Sequence, residues 1–230
     1  MVDESGTDGL LGPDGYKVLS HWTTPAKANA RATELIVAHR GTLQEVVANP
    51  HLMEEWAQTL VRAPRLVAAV QELIGPGVAV ENSFLVIKWP SQDFEVPWHQ
   101  DGTNDRLELD PQRSVAAWLA LTDADEKTGC LRVLPGSQRV GYRPYETEPA
   151  NGAARGRGLS VRIDGVVNEV PVPVRSGNGV LMDTRLVHSS HSNLGTGARI
   201  GLNIRFVAPG AVSMRDGSSP SLAPITGTGW

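Results

Sequence analysis

The sequence predicts a mainly β fold with N-terminal helices, either a helix-buttressed β-sandwich or a jelly roll. Apolar residues recur at helical spacing between Thr24 and Ile74. From Val78 the chain turns to short β-branched runs bounded by Gly, Pro, Asp and Asn. Neither part contains a repeat or a heptad, so solenoids and coiled coils are set aside.

The opening MVDESGTDGLLGPDG is polar and acidic, without a basic segment leading into an apolar one, so it does not read as a signal peptide. The first helix is predicted at TTPAKANARATELIVAHRG, with Thr24 as cap, Pro25 at the first helical position and Gly41 as stop. NPHLMEEWAQTLVRAP repeats the Asn-then-Pro opening, with Leu52, Trp56 and Leu60 at four-residue spacing. PRLVAAVQELIGPG closes the helical part with a Gly-Pro-Gly break. Strands are expected in VAVENSFLVIKW, RSVAAWLALTD, GCLRVLPGS, NEVPVPVRSG, GVLMDTRLVHSS and ARIGLNIRFVAPG. The stretch from Gln138 to Gly158, rich in Gly, Arg, Pro and Glu, is expected to be a loose loop or a lid. Its arginines (Arg139, Arg143, Arg155, Arg157) read as a solvated face. The segment from Ala211 onward reads as a loosely docked end. The expectation is one domain over 1–230: a helical buttress at about 24–74, a β core at about 78–208 and a flexible tail.

With 230 residues, 40% of them hydrophobic, the chain can bury a sizeable core. A formal charge of −4 argues against nonspecific nucleic-acid binding. The single cysteine, Cys130, excludes an internal disulfide and any multi-cysteine zinc site, and reads as a small buried hydrophobe. No apolar run reaches the roughly 18 residues of a membrane span. A cytoplasmic protein acting on a small molecule is the expectation.

The chemistry concentrates in EVPWHQDGTND. In a strand, His99 and Asp101 share a face while Trp98 and Gln100 take the other. A buried hydrogen-bonded pair would need no more than this. His188, at the end of a later apolar strand, extends the pair to two imidazoles and a carboxylate, the facial set of non-haem iron(II) oxygenases. Three protein ligands on one face of an octahedron leave three positions, two for a bidentate 2-oxoacid and one for O2. A dianionic 2-oxoglutarate brings a site of Fe(II) and one Asp to net −1, so a cation is needed for its distal carboxylate. Arg199, opening the strand after His188, can supply one. Strand alternation then turns Gly201, Asn203 and Arg205 inward with Arg199, where the two polar side chains need partners in a cavity. Asn203 and Arg205 are therefore expected near the site, with Arg205 binding a polar or anionic substrate. Of the other histidines, His21, His39 and His51 read as surface or satisfied core, and His191 as lying off the ligand face. A jelly-roll enzyme using another divalent metal, or a non-catalytic ligand-binding jelly roll, remains an alternative.

The stretches GPDGYKVLS, VPWHQD, WLALTDADEKTGCLRVLPGSQ and HSSHSNLGTGAR resemble the phytanoyl-CoA dioxygenase family of Fe(II)/2-oxoglutarate-dependent oxygenases. The resemblance implies a cupin-like double-stranded β-helix, with His99, Asp101 and His188 as iron ligands and Arg199 gripping 2-oxoglutarate. It also implies that the Ser190 hydroxyl assists Arg199 and that Trp118 lines the cosubstrate pocket. NSFLVIKWP followed by PWHQD is similar to ectoine hydroxylases, in which a Gln contacts 2-oxoglutarate; Asn82 stands at that position. Two residues depart from the pattern. PGSQ replaces the usual PGSH, a change expected to alter only a loop, and Asn82 is shorter than Gln. Asp101 retains the carboxylate that related halogenases lack, which disfavours halogenation. The chain's size is close to that of bacterial members that tailor antibiotics and oligosaccharides. The implied reaction is oxidation of an unactivated C–H, by hydroxylation or oxidative ring closure.

Overall fold

A computed structural model describes residues 9–148, 159–165 and 167–230. In chain order the elements are β1 (Tyr16–Leu19), α1 (Pro25–His39), β2 (Val46–Ala48), α2 (Pro50–Met53), α3 (Glu55–Val61), α4 (Pro64–Ile74), β3 (Val78–Lys88), β4 (Val96–His99), β5 (Leu107–Leu109), β6 (Ser114–Ala120), β7 (Leu131–Val133), β8 (Tyr145–Thr147), β9 (Leu159–Val161), β10 (Val170–Val172), β11 (Gly179–Met182), β12 (His188–Ser190), β13 (Arg199–Val207), β14 (Val212–Met214) and β15 (Ala223–Thr226).

The larger sheet runs β1-β11-β6-β13-β3-β15, with β2 also on β3; the smaller runs β10-β7-β12-β4. Period-2 alternation assigns each face of the larger sheet. On β6, Val115, Ala117 and Leu119 join Ile200, Leu202, Ile204 and Phe206 of β13 in an outer core against the helices. Ala116, Trp118 and Ala120 turn inward and meet Leu131, Val133 and Val172 of the smaller sheet. Two antiparallel sheets closed on a common interior make a double-stranded β-helix, or jelly roll. α4 seals the outer face with Leu66, Val67, Val70 and Ile74, all buried. Each such side chain contributes roughly 1.5–3 kcal/mol on full burial, which outweighs the weak intrinsic stability of so short a helix.

Thr24 caps α1 as expected, its side chain accepting from the Lys27 amide. The second helical run differs from expectation. It breaks at Glu54 into α2 and α3, and Asn49 does not cap α2. Asn49 sits in the left-handed region at φ 51° and accepts instead from the Ser83 amide, so α2 is tied to β3 and Leu52 remains half exposed.

The C-terminal stretch is not a loose end. Val212–Met214 pairs with β5, and Ala223–Thr226 adds an edge strand to β3; tertiary pairing overrides a composition that favours disorder. Within the stretch expected to be a loop or lid, Tyr145–Thr147 pairs with Leu159–Val161, and residues 149–158, with Arg155 and Arg157, lie outside the described residues. Gln138 does more than alter a loop: fully buried, its amide donates to the carbonyls of Gly12 and Pro13 and pins the N-terminal segment. Among the described residues no helix is long and apolar enough to cross a membrane.

Candidate active site

His99 closes β4 and His188 opens β12, and the two are Cα partners across the smaller sheet. Their rings stand 4.1 Å apart at 50°. Asp101 lies beyond the end of β4, in a turn rather than on the strand face. The turn is pinned by Gly102, whose amide donates to the Thr184 carbonyl; a Cβ there would come within 2.0 Å of the Tyr142 hydroxyl. Gln100, on the opposite side, donates to the Gly141 and Arg185 carbonyls and accepts from the Arg143 amide. Asp101 thereby reaches both histidines: Oδ1 is 3.9 Å from His99 Nε2 and Oδ2 is 3.7 Å from His188 Nε2. One donor atom from each of the three lies within 4.8 Å of the others.

Backbone carbonyls set the tautomers. His99 Nδ1 is 2.8 Å from the Pro97 carbonyl and His188 Nδ1 is 3.0 Å from that of Leu186. A carbonyl only accepts, so each Nδ1 carries the proton and each Nε2 offers its lone pair to the shared centre. Burial, reinforced by His188, holds His99 down at about 4 and keeps it neutral near pH 7. Burial would raise the Asp101 carboxyl, but Arg205, His188, His99 and the Asn203 amide together bring it to about 2. Two imidazole Nε2 atoms and an ionised carboxylate facing one point are the donor set of a mononuclear ferrous site.

Behind Asp101 lies a layer that the inward side of β13 predicts only in part. Asn203 Nδ2 donates to both carboxylate oxygens, at 3.3 and 3.2 Å. Arg205 Nε stands 3.4 Å from Asp101 Oδ1, and its Nη1 3.5 Å from Glu81 Oε2. Arg205 therefore braces the Asp101 carboxylate and is itself offset by Glu81, rather than presenting a free cation to an anionic substrate. Glu81 escapes sequence reasoning because it rests on a bulge. Arg205 pairs with Asn82 but Phe206 pairs with Val80, which leaves Glu81 as the extra residue. Both Glu81 and Asn82 consequently line the cavity. Burial raises the Glu81 carboxyl, and Arg205 opposes the rise.

Arg199 is fully buried, and among the described residues no carboxylate pairs with it. Its Nη2 donates to the Gly129 carbonyl, its Nε has no partner, and its guanidinium carbon lies 5.5 Å from the Trp118 ring centre. Desolvation pulls it down to about 10. A buried cation with a vacant donor on the wall of the same cavity fits the distal carboxylate of a 2-oxo dicarboxylic acid. Trp118 packs over Gly201, where a Cβ would meet ring carbon Cζ2 at 2.3 Å; the glycine makes room for the indole. Ser190 lines the cavity, while its carbonyl and that of His191 receive the buried Lys88 ammonium, which also donates to Phe94. Asn82 presents a buried side-chain carbonyl without a partner. His191 is exposed, off the ligand face, and Cys130 is buried and free.

His99, Asp101 and His188, with Arg199, Trp118, Ser190, Asn82, Asn203, Arg205 and Glu81, line one cavity of about 620 Å3. His51, expected on the surface or in the core, also lines it. Its signal was spatial: only the tie between α2 and β3 brings it there.

The profile of the family described as phytanoyl-CoA dioxygenase (PhyH) matches residues 9–201. Phytanoyl-CoA dioxygenase 1 of Oryza sativa subsp. japonica is 32% identical over 135 residues, 56% of this chain and 44% of that protein. The chain spans about half the length of the curated relatives it matches. Among solved structures, the non-heme monooxygenase ThoJ superposes with a TM-score of 0.78 at 24% identity, over 94% of this chain and 82% of that one. SnoK, a non-heme alpha-ketoglutarate-dependent carbocyclase from nogalamycin biosynthesis, gives 0.71 at 22% identity, over 94% and 90%. At these identities the structures speak to the fold. The profile match covers most of the chain, and the protein belongs to the phytanoyl-CoA dioxygenase family.

Proposed function

We propose that the protein is an Fe(II)/2-oxoglutarate-dependent oxygenase that oxidises an unactivated C–H bond of a small molecule. The substrate is a secondary metabolite, such as an antibiotic or a sugar-containing intermediate, and the outcome is hydroxylation or oxidative ring closure. One observation carries the reading: a cavity that holds the His99, Asp101 and His188 donors also holds the buried, carboxylate-free Arg199. Bound ferrous iron supplies O2 activation at the expense of 2-oxoglutarate, which leaves as succinate and CO2.

The chain's own part is binding, orientation and exclusion of water. His99, Asp101 and His188 hold the ion, their Nε2 and carboxylate atoms fixed by the Pro97 and Leu186 carbonyls and by Asn203. Arg199 holds the cosubstrate's far carboxylate, with Trp118 as its wall, and Ser190 and Asn82 supply further polar contacts. Asn203 and Arg205 position Asp101. The secondary-metabolite assignment is supported by the shared fold with SnoK.

The test is succinate release by protein reconstituted anaerobically with Fe(II), then given 2-oxoglutarate, ascorbate and O2 with a panel of polyketides, sugars and amino acids. Turnover above the iron blank is expected, and it should vanish in His188→Ala. Equal release by both proteins would overturn the assignment.

A further inference from the structure

The cavity wall carries a hydrogen-bonding group with no place in the chemistry above. β3 pairs along one edge with β13, but its other edge is shared: β2 covers Phe84–Val86 and β15 covers Val78–Val80. Glu81, Asn82 and Ser83 lie in the gap between them, where among the described residues no strand covers that edge. The cavity is lined at this notch by Asn49, His51 and Leu52 on one side and by Pro220, Ser221 and Leu222 on the other.

His51 is the fixed polar group of the notch. It is 6% exposed, and its Nδ1 lies 2.7 Å from the Ser83 hydroxyl, which is fully buried. Among the described residues the Ser83 hydroxyl has no other side-chain or backbone acceptor. A buried hydroxyl hydrogen without an acceptor costs about 1–3 kcal/mol, so Ser83 donates to Nδ1 and the His51 proton resides on Nε2. The ring stays neutral, because burial and Arg62 both lower its affinity for a proton. Nε2–H is therefore a neutral donor on a residue that lines the cavity.

Charge elsewhere on the wall narrows what it can meet. Arg205 is offset by Glu81 and Asp101, and Arg199 serves the cosubstrate. Glu95, Asp105 and Arg106 also line the cavity, so among the described residues the wall carries no excess of cation for an anionic substrate. The remaining lining is chiefly apolar, with Phe84, Phe94, Val96, Leu107, Met214 and Leu222 among it. The volume falls within the roughly 300–1,000 Å3 of pockets that enclose drug-sized ligands.

We infer that the substrate is an uncharged, largely apolar, oxygenated molecule, not an acyl-coenzyme A thioester, and that His51 Nε2–H selects it by donating to one of its oxygen atoms. The inference rests on the oxygenase reading for the site but is tested by binding alone. The protein is loaded with Ni(II) and 2-oxoglutarate, and tryptophan fluorescence is followed as probes are added: aklavinone and testosterone as neutral oxygenated polycycles, palmitoyl-coenzyme A and cholate as anions. At least one neutral probe should bind more tightly than both anions. His51→Phe should weaken that probe about tenfold, the worth of one hydrogen bond, while His51→Gln, which keeps an N–H, should stay within about threefold. Tighter binding of either anion, failure of both neutral probes, or equal losses in the Phe and Gln variants would overturn the inference. Failure of the wild type to bind 2-oxoglutarate in the loading step would instead count against the oxygenase reading.

Discussion

Replacing Arg199 by Met should make the ligand-free protein no less stable while removing its response to 2-oxoglutarate. The side chain is fully buried, and it gains only the Gly129 carbonyl and the Trp118 face as partners. Desolvation pulls its pKa well below the ordinary guanidinium value, to about 10. At about 1.4 kcal/mol per pH unit, the folded state carries a cost of about 3 kcal/mol for keeping the charge. Met fills a similar volume without that cost, but forfeits a charged hydrogen bond worth roughly 1.5–3 kcal/mol. The difference leaves the variant level with wild type or ahead by about 1 kcal/mol, equivalent to roughly 2–4 °C in Tm for a chain of this size. Two charge-assisted bonds to the cosubstrate carboxylate would vanish together, weakening 2-oxoglutarate by about 100-fold or more and leaving metal binding intact. Thermal melts with Ni(II), with and without 2-oxoglutarate, measure both effects. A variant destabilised by more than about 2 kcal/mol that still melts higher with 2-oxoglutarate would show that Arg199 is structural.

Arg205→Ala leaves Glu81 and Asp101 facing one another in a buried wall, and should lower metal-free stability by about 3 kcal/mol. Adding Glu81→Gln should restore part of the loss, and strictly additive effects in urea melts would refute the coupling. His99, held at about 4 against 6.5 for an ordinary imidazole, takes up its proton in the unfolded chain first as pH falls. Metal-free stability should therefore decline from about pH 6.5 to pH 4, by up to about 3 kcal/mol, and His99→Asn should lack that part of the slope; superimposable pH profiles would exclude the assigned shift. Gly201→Ala drives a methyl into the Trp118 indole and should cost about 1–3 kcal/mol, with Trp118→Phe recovering some of it in the same melts; an unperturbed single variant would mean the indole moves freely.

Legibility in the sequence followed periodicity. β13 could be read residue by residue because its outer positions, Ile200 to Phe206, are apolar and its inner positions are Arg, Gly, Asn and Arg, an alternation that only one register satisfies. The pair His99 and Asp101 was legible for a partly mistaken reason: the two converge through the Gly102 turn, not through a shared strand face. Glu81 was hidden because a bulge suspends the very alternation used to read its strand. His51 was hidden because its role depends on Asn49 leaving its expected cap to bind Ser83, a contact between residues distant in the chain. The C-terminal strands were missed because Ser, Gly and Pro suppress local strand propensity, and only the open edges of β3 and β5 make those segments strands.

The bulge at Glu81 also bears on how this active site can change over generations. Most alterations of cavity charge require a substitution, which leaves a side chain of the wrong size in a packed wall. Here Val80 already sits opposite Phe206 and Asn82 opposite Arg205, with one residue spare between them. Loss of a single codon at that point would draw Val80 and Asn82 together into a regular ladder and withdraw the carboxylate. Arg205 would then face the cavity with less to offset it, and the protein would become receptive to anions. Regain of the codon would reverse the change, so the site's charge preference can drift by insertion and deletion while every other wall residue keeps its identity.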